Sequence, residues 1–149
     1  MNNETDMFAL KNQLLFRTQE TLKRASKTLN ELLFRYNSTQ VQWTALHFLA
    51  NNPGINQSAL SQMMNIQSST AVRLIDRMIR DKLIAKQPLS TDRRNSMLYC
   101  TEKGIELYRI IEPIAEKFHT GALQGTTKQE LETFFTVLGK IDTNTQNIL

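Results

Sequence analysis

Gln67, Ser68, Ser69, Thr70, Arg73 and Arg77 follow one another at spacings that suit the reading of a DNA duplex. Glutamine can bond an adenine edge in two places and arginine a guanine edge, each contact discriminating by about 1–3 kcal/mol. The three hydroxyls add short donors. A helix opening there offers free backbone N–H groups and a positive dipole end to phosphate. Arg77 and Arg80 stand further along, where phosphate or solvent is a better partner than a base. Lys86 offers a further phosphate contact, and Asp92-Arg93-Arg94 makes a polar tip. Adjacent arginines repel each other, and Asp92 can hold one guanidinium in a forked hydrogen bond. An arginine fixed in this way loses less entropy on entering a narrow minor groove, where negative potential is enhanced.

These residues need a frame. Ser38 or Thr39 can cap a helix carrying Val41, Trp43, Leu46, Phe48 and Leu49, and Asn51-Asn52-Pro53-Gly54 stops it. Asn56 caps a short helix over 57–64. Asn65-Ile66-Gln67 makes a tight connection, and Ser68 or Ser69 caps a helix running to about Lys82. Two short helices around a small turn, the second amphipathic and basic, make a helix-turn-helix. In that second helix Val72, Ile75, Ile79 and Leu83 are expected inside, and Ser69, Arg73, Asp76, Arg77 and Arg80 outside. Asp76 and Arg80, four apart, are expected to pair. Residues 83–88 and 96–100 read as two strands of a hairpin tipped by Asp92, Arg93 and Arg94.

Long helices flank this lobe. Phe8, Leu15, Leu22, Leu29 and Tyr36 recur every seven residues, with Thr18, Ala25 and Leu32 between them. A helix over 6–35 would be about 45 Å long, too long for one small domain to cover, so part of it is expected against another chain. After the hairpin, Thr101 restarts a helix with Ile105, Tyr108, Ile111, Ala115 and Phe118, which Pro113 should bend. Thr127-Lys128-Gln129-Glu130 is a capping box opening a last helix, whose Phe134 and Phe135 need cover.

Charge is distributed unevenly. The 149 residues carry a net charge of +4. From Ser38 to Gly104 there are eight Lys or Arg against four Asp or Glu, so the whole excess sits in the central segment. Such a localised field attracts polyanions. From Tyr36 to Val72 there is no charged residue at all, as suits a packed inner layer, a phosphate-facing surface, or both. The single cysteine, Cys100, excludes an internal disulfide and the usual cysteine-rich zinc sites. A redox role would need a lowered thiol pKa. His47, His119 and Cys100 lack metal-ligand spacing, so no metal or other cofactor is expected. No phosphate loop, nucleophile motif or carboxylate pair marks an enzyme. No apolar run is long enough for a bilayer, and the N-terminus does not read as a secretory signal, so a cytoplasmic protein without a membrane partner is expected.

The run QWTALHFLANNPGINQSALSQMMNIQSSTAVRLIDRMIRDKLIAK, continued by STDRRNSMLYCTEKG, closely resembles the MarR family of bacterial transcription regulators. Its most specific parts are R-L-I-D-R, D-R-R and L-x-x-T-E-K-G. Lys82 stands where the family often has a glycine, Ser90 where it has a wing proline, Lys86 where it has an arginine, and Val72 where threonine is frequent. The resemblance implies a mainly α fold. One domain over residues 1–149 would comprise a winged helix-turn-helix lobe (38–104) with a two-stranded wing, and N- and C-terminal dimerisation helices (1–36 and 105–149). It implies a homodimer on palindromic promoter DNA, commonly a repressor released by a small-molecule effector. The implied DNA-binding residues are Gln67, Ser68, Ser69, Thr70, Arg73, Arg77, Lys86, Asp92, Arg93 and Arg94. The resemblance also places an effector pocket between the flanking helices and the lobe, for which Tyr36, Trp43, His47 and Tyr108 are candidates. The other class open to the sequence is a winged-helix module for protein–protein contact.

Overall fold

The computed structural model describes residues 3–89 and 92–148, with side chains described over 9–88 and 96–148. The order is α1 (Asn3–Phe34), α2 (Gln40–Asn51), β1 (Ile55–Asn56), α3 (Gln57–Met63), α4 (Ser68–Arg80), β2 (Ile84–Leu89), β3 (Asp92–Cys100), α5 (Glu102–Ala122) and α6 (Lys128–Gln146). The fold is mainly α and has a winged helix at its centre. The chain divides into two compact units, residues 1–118 and 119–149.

In the first unit every element contributes to one core. Leu29 and Leu33 come from α1, Leu46 and Leu49 from α2, Leu60 from α3, and Leu74, Ile75 and Met78 from α4. Ile84 and Leu98 come from the sheet, and Ile111 and Ala115 from α5. Each large aliphatic residue so buried contributes about 1.5–3 kcal/mol. Thr39 caps α2 in a capping box with Gln42, and the Asn56 side chain accepts from the Ala59 N–H at 2.8 Å. Asn30 Oδ1 accepts from the Gln40 N–H, tying α1 to the start of α2.

Three helices end in the same way. Asn37, Asn65 and Lys82 have φ of 54°, 50° and 60°. At each, paired backbone bonds close the helix: Ser38 to Leu33 O and Asn37 to Phe34 O, Ile66 to Ser61 O and Asn65 to Gln62 O, Leu83 to Met78 O and Lys82 to Ile79 O. This is the Schellman arrangement. Lys82 therefore occupies a left-handed position in which glycine is the least strained residue.

The expected two-stranded wing is present as β2 paired with β3, and the sheet gains a third strand. It has the order β1-β3-β2, all antiparallel, because Ile55 and Asn56 pair with Leu98 and Met97. Two residues beside Pro53-Gly54 are too few to show an alternating pattern. β3 also begins at Asp92, four residues before the expected start. The tip residues Ser90 and Thr91 lie outside the described residues.

One packing expectation is corrected. In α4 the buried stripe is Ala71, Leu74, Ile75 and Met78, while Val72 is 38% exposed and Ile79 only partly buried. The stripe expected from sequence is rotated from this one by about one residue, because Ala71 and Met78 carry weaker apolar signals than Val72 and Ile79. In α1, Leu29 is buried but Leu15 and Leu22 are exposed, so the heptad stripe finds cover only near its C-terminal end. The side chain of Phe8 lies outside the described residues. α5 runs on through Pro113.

In the second unit Thr127 and Glu130 form a capping box, with Glu130 Oε2 accepting from the Thr127 N–H at 2.7 Å. These hydrogen bonds hold the Glu130 carboxyl below its ordinary pKa. No residue of α6 is buried, and Phe134 and Phe135 are exposed. Among the described residues no helix is long and apolar enough to cross a membrane.

Candidate nucleic-acid interface

The turn between α3 and α4 is set by Asn65 in the left-handed region, with Ile66 packed on the core. α4 then opens without a side-chain cap. Its N-cap residue is Gln67 (φ −63°, ψ 146°), whose side chain makes no capping bond, although its carbonyl accepts from Thr70 and Ala71. The expected capping by Ser68 or Ser69 is therefore corrected. Both lie inside the helix, and their hydroxyls are left for an outside partner. Glutamine is a weaker cap than serine, aspartate or asparagine, at a cost of about 1 kcal/mol.

Gln67, Ser68, Ser69, Thr70, Arg73 and Arg77 are all exposed. None of their side chains forms a hydrogen bond or ion pair with another described residue. At 100° per residue, Ser69, Arg73, Asp76 and Arg80 point away from the buried stripe. Ser68 and Val72 border that face on one side, Thr70 and Arg77 on the other. The charge pairing differs from the expectation. Asp76 Oδ1 stands 3.8 Å from Lys86 Nζ on β2, and Arg80 Nε stands 4.0 Å from Asp81 Oδ1. The strand brings Lys86 to Asp76 across space, which i, i+4 spacing along one helix does not reveal. The backbone of Asp92, Arg93 and Arg94 lies in β3, and their side chains fall outside the described residues.

The start of α5 locks the wing to α4. The Thr101 hydroxyl donates to the Lys82 carbonyl at 2.6 Å and accepts from the Gly104 N–H at 3.0 Å. Lys103 Nζ donates to the Asp81 carbonyl at 2.8 Å. A Cβ on Gly104 would fall 2.0 Å from the Leu83 oxygen. These contacts give a physical meaning to the T-E-K-G run.

Of the four residues considered for an effector, three gather on the α2–α5 face. Trp43 Nε1 donates to Glu112 Oε2 at 2.5 Å, and His47 Nδ1 lies 3.2 Å from both Glu112 Oε1 and the Tyr108 hydroxyl. Burial pushes the Tyr108 phenol above its ordinary pKa, and the Glu112 carboxylate adds to the rise. Glu112, absent from the sequence reading, lies one helical turn from Tyr108, and that spacing is its only signal. The group reads as a polar tie between two helices, its acceptors already engaged. Tyr36 stands elsewhere, on a cleft of about 420 Å³ with Asn37, Gln42, Asp81, Leu83, Lys103 and Leu107. Burial pushes the Cys100 thiol up to about 11. Among the described residues no three His, Cys, Asp or Glu side chains gather as a metal site.

A family model described as the MarR family matches residues 37–95, the segment from the end of α1 to the wing tip. The chain is 29% identical over 124 residues to YybA of Bacillus subtilis (strain 168), an uncharacterised HTH-type transcriptional regulator, with 83% of each chain covered. Its fold is similar to that of a MarR-like transcription regulator from Bacillus cereus ATCC 10987 (TM-score 0.76, 22% identity, 91% of this chain and 98% of that one). It is also similar to a mutant MarR from E. coli, solved in complex with operator DNA (TM-score 0.73, 18% identity, 95% and 99% covered). With the winged helix and its exposed polar helix face in place, residues 37–95 are similar to the MarR family, and the chain shares its fold with MarR-like transcription regulators.

Proposed function

We propose that this protein is a homodimeric, sequence-specific regulator that binds palindromic promoter DNA and is released from it by a small molecule. The observation that carries the reading is the free face of α4. Gln67, Ser68, Ser69, Thr70 and Arg73 near the N-terminal end of the helix, and Arg77 in its last turn, are exposed there, without partners among the described residues, while the opposite side packs into the core. The N-terminal end of α4 enters the major groove. Lys86 lies against phosphate, and Asp92, Arg93 and Arg94 reach the adjacent minor groove. The E. coli relative solved with operator DNA supports this placement through the shared fold.

A second copy of the chain covers the apolar residues left bare on α1 (Leu10, Leu14, Leu15, Phe16 and Leu22) and on α6 (Phe134, Phe135 and Val137). So much exposed apolar surface marks an interaction site. Two recognition helices in such a dimer sit about 34 Å apart, one turn of the duplex. The effector occupies the cleft lined by Tyr36 and Lys103, whose size suits a small molecule. Asp81 and Leu83 on its wall are the residues through which α4 passes into the wing, so a ligand there re-aims both DNA-reading parts together.

Two substitutions test the reading on promoter DNA. Arg73→Ala reduces discrimination between specific and non-specific duplexes more than it reduces non-specific affinity. An equal loss of both makes Arg73 a phosphate contact only. Arg94→Ala weakens specific binding without unfolding the dimer, and an unchanged gel shift removes the minor-groove role.

A further inference from the structure

Val72 is 38% exposed on α4, although it is β-branched and apolar and its helix has a well-packed inner stripe. It stands one turn beyond Ser68 and Ser69 and one turn before Asp76, on the border of the face assigned to DNA. Its neighbours on that face are polar, and Ser68, Ser69 and Arg73 make no bonds to described residues through their side chains. The branched side chain is stiff in a helix, so its methyl groups hold a fixed direction. In the major groove the apolar feature of the four standard bases is the thymine C5-methyl group.

We infer that Val72 is a specificity-determining residue that packs its methyl groups against one thymine methyl in each half-site. The inference deepens the DNA-binding reading and rests on it. Hydrogen-bonding residues such as Gln67 and Arg73 read base edges, whereas Val72 reads a methyl group. The contact makes thymine favoured over uracil at that base pair, where every Watson–Crick and groove hydrogen bond is the same. Burying one methyl group corresponds to about a three- to five-fold change in affinity.

The test begins by enriching duplexes from a randomised pool with the full-length wild-type protein. Each thymine of the enriched half-site is then replaced singly by uracil, and binding is measured for wild type, Val72→Ser and Val72→Thr. One position is expected where uracil weakens wild-type binding about three- to five-fold. Val72→Ser, which keeps neither methyl group, binds the thymine and uracil duplexes there equally, and Val72→Thr shows an intermediate ratio. The inference is overturned if no uracil substitution weakens wild-type binding, or if Val72→Ser keeps the wild-type ratio at every position. A pool that yields no enriched duplex overturns the DNA-binding reading itself, and this inference with it. Circular dichroism of the variants separates a lost contact from a lost fold, since an exposed position should leave the helix content unchanged.

Discussion

Lys86 Nζ lies 3.8 Å from Asp76 Oδ1, which links the first long wing strand to the recognition helix across the face assigned to DNA. The carboxylate side chain is 65% exposed and the ammonium 37%, so water screens the pair and its contribution to stability is small. Its effect is on the surface potential, where the carboxylate offsets a cation that phosphate would otherwise meet alone.

Asp76→Asn is therefore expected to leave stability within about 0.5 kcal/mol of wild type. It should strengthen binding to non-specific duplex several-fold at low salt, with the gain fading as salt rises. Urea unfolding and fluorescence anisotropy at two salt concentrations measure the two quantities. A clear loss of stability with no gain in affinity would show the bridge to be structural.

Gly104→Ala is expected to destabilise the protein by at least about 2 kcal/mol, the upper part of the range for overpacking. The added Cβ would meet the Leu83 carbonyl oxygen at 2.0 Å, and this neighbour is backbone that also accepts from the Thr101 N–H. Relief requires α5 to move away from the strand that follows α4. The thermal midpoint should fall by several degrees. A midpoint equal to wild type would contradict the packing described at this corner.

Cys100 is expected to be chemically quiet. Burial raises its thiol from an ordinary 9.0 to about 11, so thiolate is scarce at neutral pH and the nucleophilic form is suppressed. The folded state holds this proton more tightly than the unfolded state does. The resulting stability is complete below about pH 9 and is lost as pH rises towards 11. Alkylation in mildly alkaline buffer should be much slower in the native protein than in urea, and peroxide should leave DNA binding intact. Rapid modification of the native protein, or release of DNA by peroxide that Cys100→Ala abolishes, would reverse this assignment.

The parts of the fold legible in the sequence are those with local causes. Thr39, Asn56 and Thr127 announce helix starts because a short side-chain oxygen satisfies a nearby N–H, and all three act so. Lys82 in a glycine-like position is visible as a departure from the family pattern, and its φ of 60° gives the reason. What escapes depends on contacts distant in sequence. β1 exists because β3 passes beside two residues that have no pattern of their own. Asp76 turns to Lys86 instead of Arg80 because β2 folds back over α4. The effector candidates share only their aromatic character, yet Trp43, His47 and Tyr108 gather around Glu112 while Tyr36 stands on a cleft with Lys103. Helical periodicity also misplaces Val72, since an alanine and a methionine hold the buried stripe in its stead.

Whether α4 and the wing grip duplex DNA is decided by the salt dependence of binding. Affinity of the wild-type protein for its enriched duplex should be measured across roughly 50–200 mM monovalent salt, where a grip on several phosphates costs about a thousand-fold or more. A steep linear fall of log K against log salt is expected, made shallower by about one unit in Lys86→Ala. Affinity that is flat across that range, or no retention of any duplex at its lowest salt, would contradict the grip.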